Sequence, residues 1–142
     1  MKKRTQRHDV IREIVRGDQI RTQRELAEKL QAQGYDCTQA TISRDITDMG
    51  LLKSQAGFYV LPEDMRMQRM VADLVEDIHT TLQLVVVTTA PGAASGVAGA
   101  IDSVGIPGAL GSVAGDNTIL LAAASPEDAT RIKGTLNGLR RR

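Results

Sequence analysis

The densest set of side chains able to recognise another molecule lies between Gln39 and Thr47. Gln39, Ser43 and Thr47 recur at i, i+4 and i+8, with Ala40 and Arg44 beside them. On a helix this spacing makes one narrow strip of short hydrogen-bonding groups plus a guanidinium, small enough to enter a DNA major groove. There Gln pairs with adenine, Arg with guanine, and Ser or Thr with a phosphate or a base edge. The competing reading is a plain solvated face, but such faces more often carry Glu and Lys in quantity. A second set holds two carboxylates. Asp102 follows Ser95 by seven residues, two turns along one helical face, with Ala98 and Gly99 between them. Asp116 falls in a tight turn. Carboxylates beside small residues suit a cationic ligand with a planar fork, because guanidinium–carboxylate pairing can be bidentate. Asp116-Asn117 also reads as ordinary hairpin chemistry, since both residue types favour such turns.

Constellations for catalysis are missing. His8 and His79 have no second metal ligand nearby in sequence, and each reads as a surface residue. No serine lies in a G-x-S-x-G elbow. Glycines 105, 108, 111 and 115 do not space as G-x-G-x-x-G, which excludes the dinucleotide fingerprint. The chain is therefore not expected to be an enzyme, and no metal is expected.

The elements that would position the first strip are three short helices, each closed by a glycine. Val10, Ile11, Ile14 and Val15 recur at helical spacing up to Gly17. Thr22 and Glu25 form an S/T-x-x-E box opening a second helix that places Leu26, Ala27 and Leu30 on one face and ends at Gly34. Thr38 caps a third, which runs to Gly50 with Ile42, Ile46 and Met49 inward. The four-residue turn from Gly34 to Cys37 fits a helix-turn-helix. Leu51–Lys53 and Phe58–Leu61, joined through Gly57, read as a wing, and Cys37 as a small half-buried residue.

A linker is expected over residues 61–67, rich in Pro, Glu, Asp and Arg. Beyond it, Val71, Leu74, Val75 and Ile78 predict an amphipathic helix, and Leu84–Thr89 a buried strand. Ala94, Val97, Ala98 and Ile101 predict a helix over 93–103. Gly111–Ala114 and Thr118–Ala123 read as strands joined at Gly115-Asp116-Asn117, and Ser125-Pro126-Glu127 opens a last helix. The expected fold is thus an α/β two-domain chain. Residues 1–64 form a winged helix-turn-helix, and residues 68–142 an α+β domain with an antiparallel sheet and packed helices.

Charge distribution agrees with that division. Residues 1–53 hold 11 basic and 8 acidic side chains, and residues 65–139 hold 4 and 7. A basic half joined to an acidic one is expected when one part meets phosphates, although chance at such numbers is the alternative. No apolar run approaches the roughly 20 residues needed to span a bilayer. The start Met-Lys-Lys-Arg leads into polar Thr5, Gln6, His8 and Asp9 rather than an apolar run, and Cys37 is the single cysteine. These features predict a cytoplasmic protein without a membrane partner. All three aromatics, Tyr35, Phe58 and Tyr59, precede residue 60. A second domain of about 75 residues without an aromatic has little area to bury, so self-association is expected.

The stretch Thr38-Gln39-Ala40-Thr41-Ile42-Ser43-Arg44-Asp45-Ile46 resembles the recognition helix of the bacterial arginine repressor family. The resemblance implies that Ser43 and Arg44 contact double-stranded operator DNA, and it brings Thr41 among the DNA-binding candidates with Gln39 and Thr47. A second block also resembles that family: Pro91-Gly92-Ala93-Ala94, Asp102, and Gly111 through Ile119. It implies an oligomerisation domain that forms trimers stacked as a dimer of trimers, with L-arginine as co-repressor bound between them. By position the implied ligand residues are Asp102, Ser112, Asp116, Asn117 and Ser95. Asn117 stands where the family has a second aspartate, and Ser95 where it usually has Gln or His. The implied function is repression of arginine biosynthesis genes. A constitutive oligomeric DNA-binding protein with altered or absent effector response stays open beside it.

Overall fold

Local signals set the first three helices. The structure, a computed structural model, describes residues 2–140, with side chains from Arg4 onward. Helix α1 (Lys2–Gly17) is followed by α2 (Gln23–Ala32), where the Thr22 hydroxyl accepts from the Glu25 N–H at 3.1 Å. The Glu25 carboxylate reaches back to the Arg21 N–H at 3.2 Å, one residue beyond the Thr22 N–H that a reciprocal capping box would use. Thr38 caps α3 (Gln39–Met49) by accepting from the Thr41 N–H, and Gly50 ends it with φ of 66°, a left-handed conformation that glycine adopts without a Cβ penalty. Ile11, Ile14, Ile20, Leu26, Leu30, Ile42 and Leu61 form the buried core of this unit. At about 1.5–3 kcal/mol per fully buried aliphatic side chain, these contacts outweigh any single cap.

The wing is small and well tied. Strands β1 (Leu52–Lys53) and β2 (Tyr59–Val60) pair antiparallel, and the turn between them uses Gly57 at φ of 89°. Arg21 donates to the Ala56 carbonyl at 3.0 Å and stacks 4.2 Å from the Phe58 ring centroid. The Tyr59 N–H donates to the Ile20 carbonyl at 2.8 Å. The wing is thereby held to the segment preceding α2.

The chain parts into two units between Met65 and Arg66. The expected linker is helical: α4 runs from Pro62 to Leu74. Pro62 starts it at a position that needs no N–H, Glu63 and Asp64 favour its positive end, and Met67 and Val71 bury themselves farther along. The amphipathic helix expected through Ile78 therefore starts earlier and stops at Leu74. Residues 75–81 form a strand instead.

That strand, β3 (Val75–Thr81), is joined by β4 (Leu84–Thr89), β5 (Ala109–Ala114) and β6 (Thr118–Ala123) in an antiparallel sheet of order β3-β4-β6-β5. The order after α4 is thus strand, strand, helix, strand, strand, helix, with one more strand than the sequence reading. Its concealment has a physical cause. Val75 and Ile78 both face the core, but they are three residues apart, which an unbroken strand would place on opposite faces. A register irregularity between Val75 and Asp77 absorbs the extra residue, and the resulting spacing imitates a helix.

Helices α5 (Ala94–Val104) and α6 (Pro126–Arg140) cover one face of the sheet, α5 on β5 and β6, α6 chiefly on β3 and β4. Val85, Val87, Val97, Ile101, Ile119, Leu121, Ile132 and Leu136 fill the layer between. On the opposite face Val86 pairs with Leu120, and Leu120 with Val113, while Leu84 pairs with Ala122. Among the described residues this apolar row is left largely exposed: Val113 is 74% exposed, Leu120 46% and Leu84 38%.

Candidate nucleic-acid interface and ligand-binding residues

On α3 the sides divide as helical periodicity requires. Ile42 is buried, Ile46 and Met49 are half-buried against the core, and Gln39, Ala40, Ser43, Arg44 and Thr47 are exposed. Thr41 is half-buried, and its hydroxyl lies 3.0 Å from that of Thr38, so it serves the cap. The Thr47 hydroxyl donates to the Ser43 carbonyl at 3.2 Å, which leaves its oxygen free to accept. Gln39 also lines a depression of about 350 Å³ with Gln23, Arg24, Ala27 and Ile42, at the mouth between α2 and α3. The exposed strip therefore ends beside the start of α2, where exposed Arg24 pairs with Glu28 one turn along at 3.5 Å.

Sequence reading gave no role to Asp45, which is the one buried charge on α3. Its carboxylate accepts from Arg7 Nε and, at 2.9 Å, from Arg7 Nη2; His8 Nε2 lies 3.0 Å from the same Oδ1. Desolvation alone would raise the Asp45 pKa. The hydrogen bonds from Arg7 and His8, with their charges, outweigh it and hold the carboxyl below the usual carboxylate range. The same pairing raises the Arg7 pKa. His8 is thus half-buried against α3, contrary to the surface position expected of it. Asp48, the other acid of α3, pairs with Arg4. Arg12 pairs with Glu63, and Arg16 grips Asp64 with two bonds of 2.9 Å. Four arginines of α1 are committed to carboxylates in this way. The partners lie more than 35 residues away in sequence, which is why no local pattern could reveal them.

In the second unit the expected ligand residues fall into two groups. Ser112 donates to the Asp102 carboxylate at 3.0 and 3.2 Å, beside a hollow of about 160 Å³ lined by Ile101, Gly105, Ile106 and Gly111. Asp116 and Asn117 sit in the β5–β6 turn, both exposed. The Asp116 carbonyl accepts from the Ala94 N–H at 3.2 Å and the Asn117 carbonyl from the Thr89 N–H at 2.7 Å, which ties this turn to the start of α5, where exposed Ser95 stands. Asn117 Oδ1 accepts from the Thr118 hydroxyl at 3.0 Å. Ser95 and Asp102 are seven residues apart on α5, roughly 10 Å of helical rise. A single chain thus holds these candidate residues in two separate groups rather than in one closed pocket. Among the described residues no group of three His, Cys, Asp or Glu side chains is placed to hold a metal ion. Nor is any described helix long and apolar enough to cross a membrane.

Comparison with known proteins matches both halves in order. Residues 2–67 match the family model described as the arginine repressor DNA-binding domain, and residues 71–138 the arginine repressor C-terminal domain. A protein of Carboxydothermus hydrogenoformans named arginine repressor is 44% identical over 137 residues, covering 89% of this chain and 91% of its own length. One of the same name from Desulforudis audaxviator is 43% identical and covers 98% of both chains. The Thermus thermophilus arginine repressor is 39% identical over 98% of this chain and 92% of its own. Two family domains in the family's order, and relatives matched along nearly their whole length, make this chain a member of the arginine repressor family.

Proposed function

We propose that this chain represses arginine biosynthesis genes by binding operator DNA through α3, with L-arginine as co-repressor. The chain is a DNA-binding regulator of transcription, not an enzyme. Residues 1–64 read DNA and residues 68–142 bind the effector and assemble the protein. The observation that carries the first part is the split of α3. Its acids are tied to α1, and its outward face offers Gln39, Ser43, Arg44 and Thr47. Arg44, with no hydrogen bond or ion pair among the described residues, is free to make a bidentate pair with guanine or to grip a phosphate. Thr41 contributes by fixing the start of the helix.

Two features support assembly. The row Leu84, Val86, Val113 and Leu120 is an apolar sheet face largely exposed among the described residues, and the ligand residues form part-sites that a neighbouring copy can complete. Trimers that pair into a dimer of trimers satisfy both. L-arginine is the ligand expected at Asp116, with Asn117, Asp102, Ser112 and Ser95 contributing, and its guanidinium finds a charged acceptor in Asp116. A cytoplasmic setting fits a DNA-binding regulator with one cysteine and no membrane-spanning helix among the described residues. Calorimetric titration with L-arginine tests the effector assignment. Wild-type protein should bind it, and Asp116→Asn should lose about two orders of magnitude in affinity, roughly 2.7 kcal/mol. Absence of binding at millimolar arginine, or equal binding by the variant, would overturn it.

A further inference from the structure

The cluster of Arg7, His8 and Asp45 stands behind the DNA-reading face, and no contact proposed with DNA explains it. Helix α3 carries one cation, Arg44, and two acids, Asp45 and Asp48, so its own net charge is negative. Unpaired beside phosphates, those acids would repel the ligand the helix is built to meet. Instead Asp48 pairs with Arg4, and Asp45, 2% exposed at its side chain, receives both arms of the Arg7 fork with His8 Nε2 against Oδ1. Two carboxylates and two guanidiniums cancel, which leaves Arg44 as the uncompensated charge of the helix. The fork also fixes geometry. Two parallel N–H···O bonds define a plane, and Asp45 directly follows Arg44 in the chain. A turn of α3 about its axis would therefore break the fork as it displaced Ser43 and Arg44.

We infer that Arg7 and His8 are positioning residues that set the rotation of α3 through Asp45, and thereby set base discrimination rather than gross affinity for DNA. The inference rests on the proposed role of α3 as the DNA reader. Base contacts demand placement to a few tenths of an ångström, whereas phosphate contacts from long side chains tolerate error, so a loosened helix loses sequence preference before it loses DNA. Charge alone does not meet the requirement, because lysine supplies the cation without the planar fork.

The test measures binding of two duplexes by fluorescence anisotropy across a salt series. One duplex is enriched from a random library by the wild-type protein, and the other is a shuffled sequence of equal composition. Arg7→Lys should stay folded and bind the shuffled duplex within about twofold of wild type, yet lose tenfold or more of its preference for the enriched duplex. Asp45→Asn should show the same loss at a temperature where its melting curve is still native. Should it melt too early, Arg7→Lys carries the test by itself. The slope of log affinity against log salt should not change in either variant, since neither residue touches phosphate. Undiminished preference in folded Arg7→Lys overturns the inference. So does a slope smaller by about one, which would make Arg7 a phosphate ligand. Failure of the wild-type protein to enrich any sequence would instead refute the DNA-reading assignment beneath it.

Discussion

Replacing Asp45 with asparagine should cost the first unit a large part of its stability. The Asp45 side chain is 2% exposed and that of Arg7 16%, so the substitution leaves a mostly desolvated guanidinium facing an amide that can turn only one acceptor towards it. Breaking a buried pair from one side costs about 3–5 kcal/mol, and the residual exposure of Arg7 puts this case near the lower end, about 3 kcal/mol. For a domain of this size each kcal/mol moves the midpoint by roughly 4–8 °C, giving a fall of roughly 12–24 °C. The assay is convenient because Tyr35 and Tyr59 are the only tyrosines and the chain has no tryptophan, so tyrosine fluorescence follows the first unit alone. Acidity should act in the same direction. The folded Asp45 carboxyl titrates below its unfolded value, so its contribution is complete above the unfolded pKa of about 3.9 and disappears as pH falls through the folded value. Asp45→Asn should therefore lose the part of the wild-type acid sensitivity that Asp45 supplies. A midpoint lowered by less than about 4 °C, the effect of a single kcal/mol, would mean that the Arg7–Asp45 pair does not hold the first unit together.

Arg44→Ala should weaken binding to an enriched duplex by about 1–3 kcal/mol with folding unchanged, read by anisotropy and circular dichroism; equal affinity would remove Arg44 from the interface. Leu120→Asp places a charge in the middle of the exposed apolar row and should reduce the proposed oligomer to smaller species in light scattering. An unchanged mass would mean that the sheet face is not the contact.

What the sequence made legible was local. Thr22, Thr38 and Gly50 act within four residues of themselves, so the limits of α2 and α3 could be read from caps and periodicity. The exposed strip of α3 followed from the same period. Strand β3 was hidden by its irregularity, which gave Val75 and Ile78 a helical spacing, and the helical state of residues 62–67, where the two units part, was masked by a first turn rich in proline and acids. Among the site residues, the Asp102–Ser112 hydrogen bond joins positions the sequence reading had already grouped. The ties of Asp45 to Arg7 and His8 had no sequence signal. They bridge two helices through tertiary packing, and the acid could equally have been a solvated residue.

Control of this chain's grip on DNA by arginine is the step on which the proposed function turns. The direct measurement is the affinity of the full-length protein for a duplex enriched from a random library, taken with and without millimolar L-arginine at fixed salt. With arginine the affinity should be at least tenfold tighter, about 1.4 kcal/mol, with no gain for the shuffled duplex. Superimposable binding curves for the enriched duplex, from protein that calorimetry shows to be folded and active in DNA binding, would contradict it.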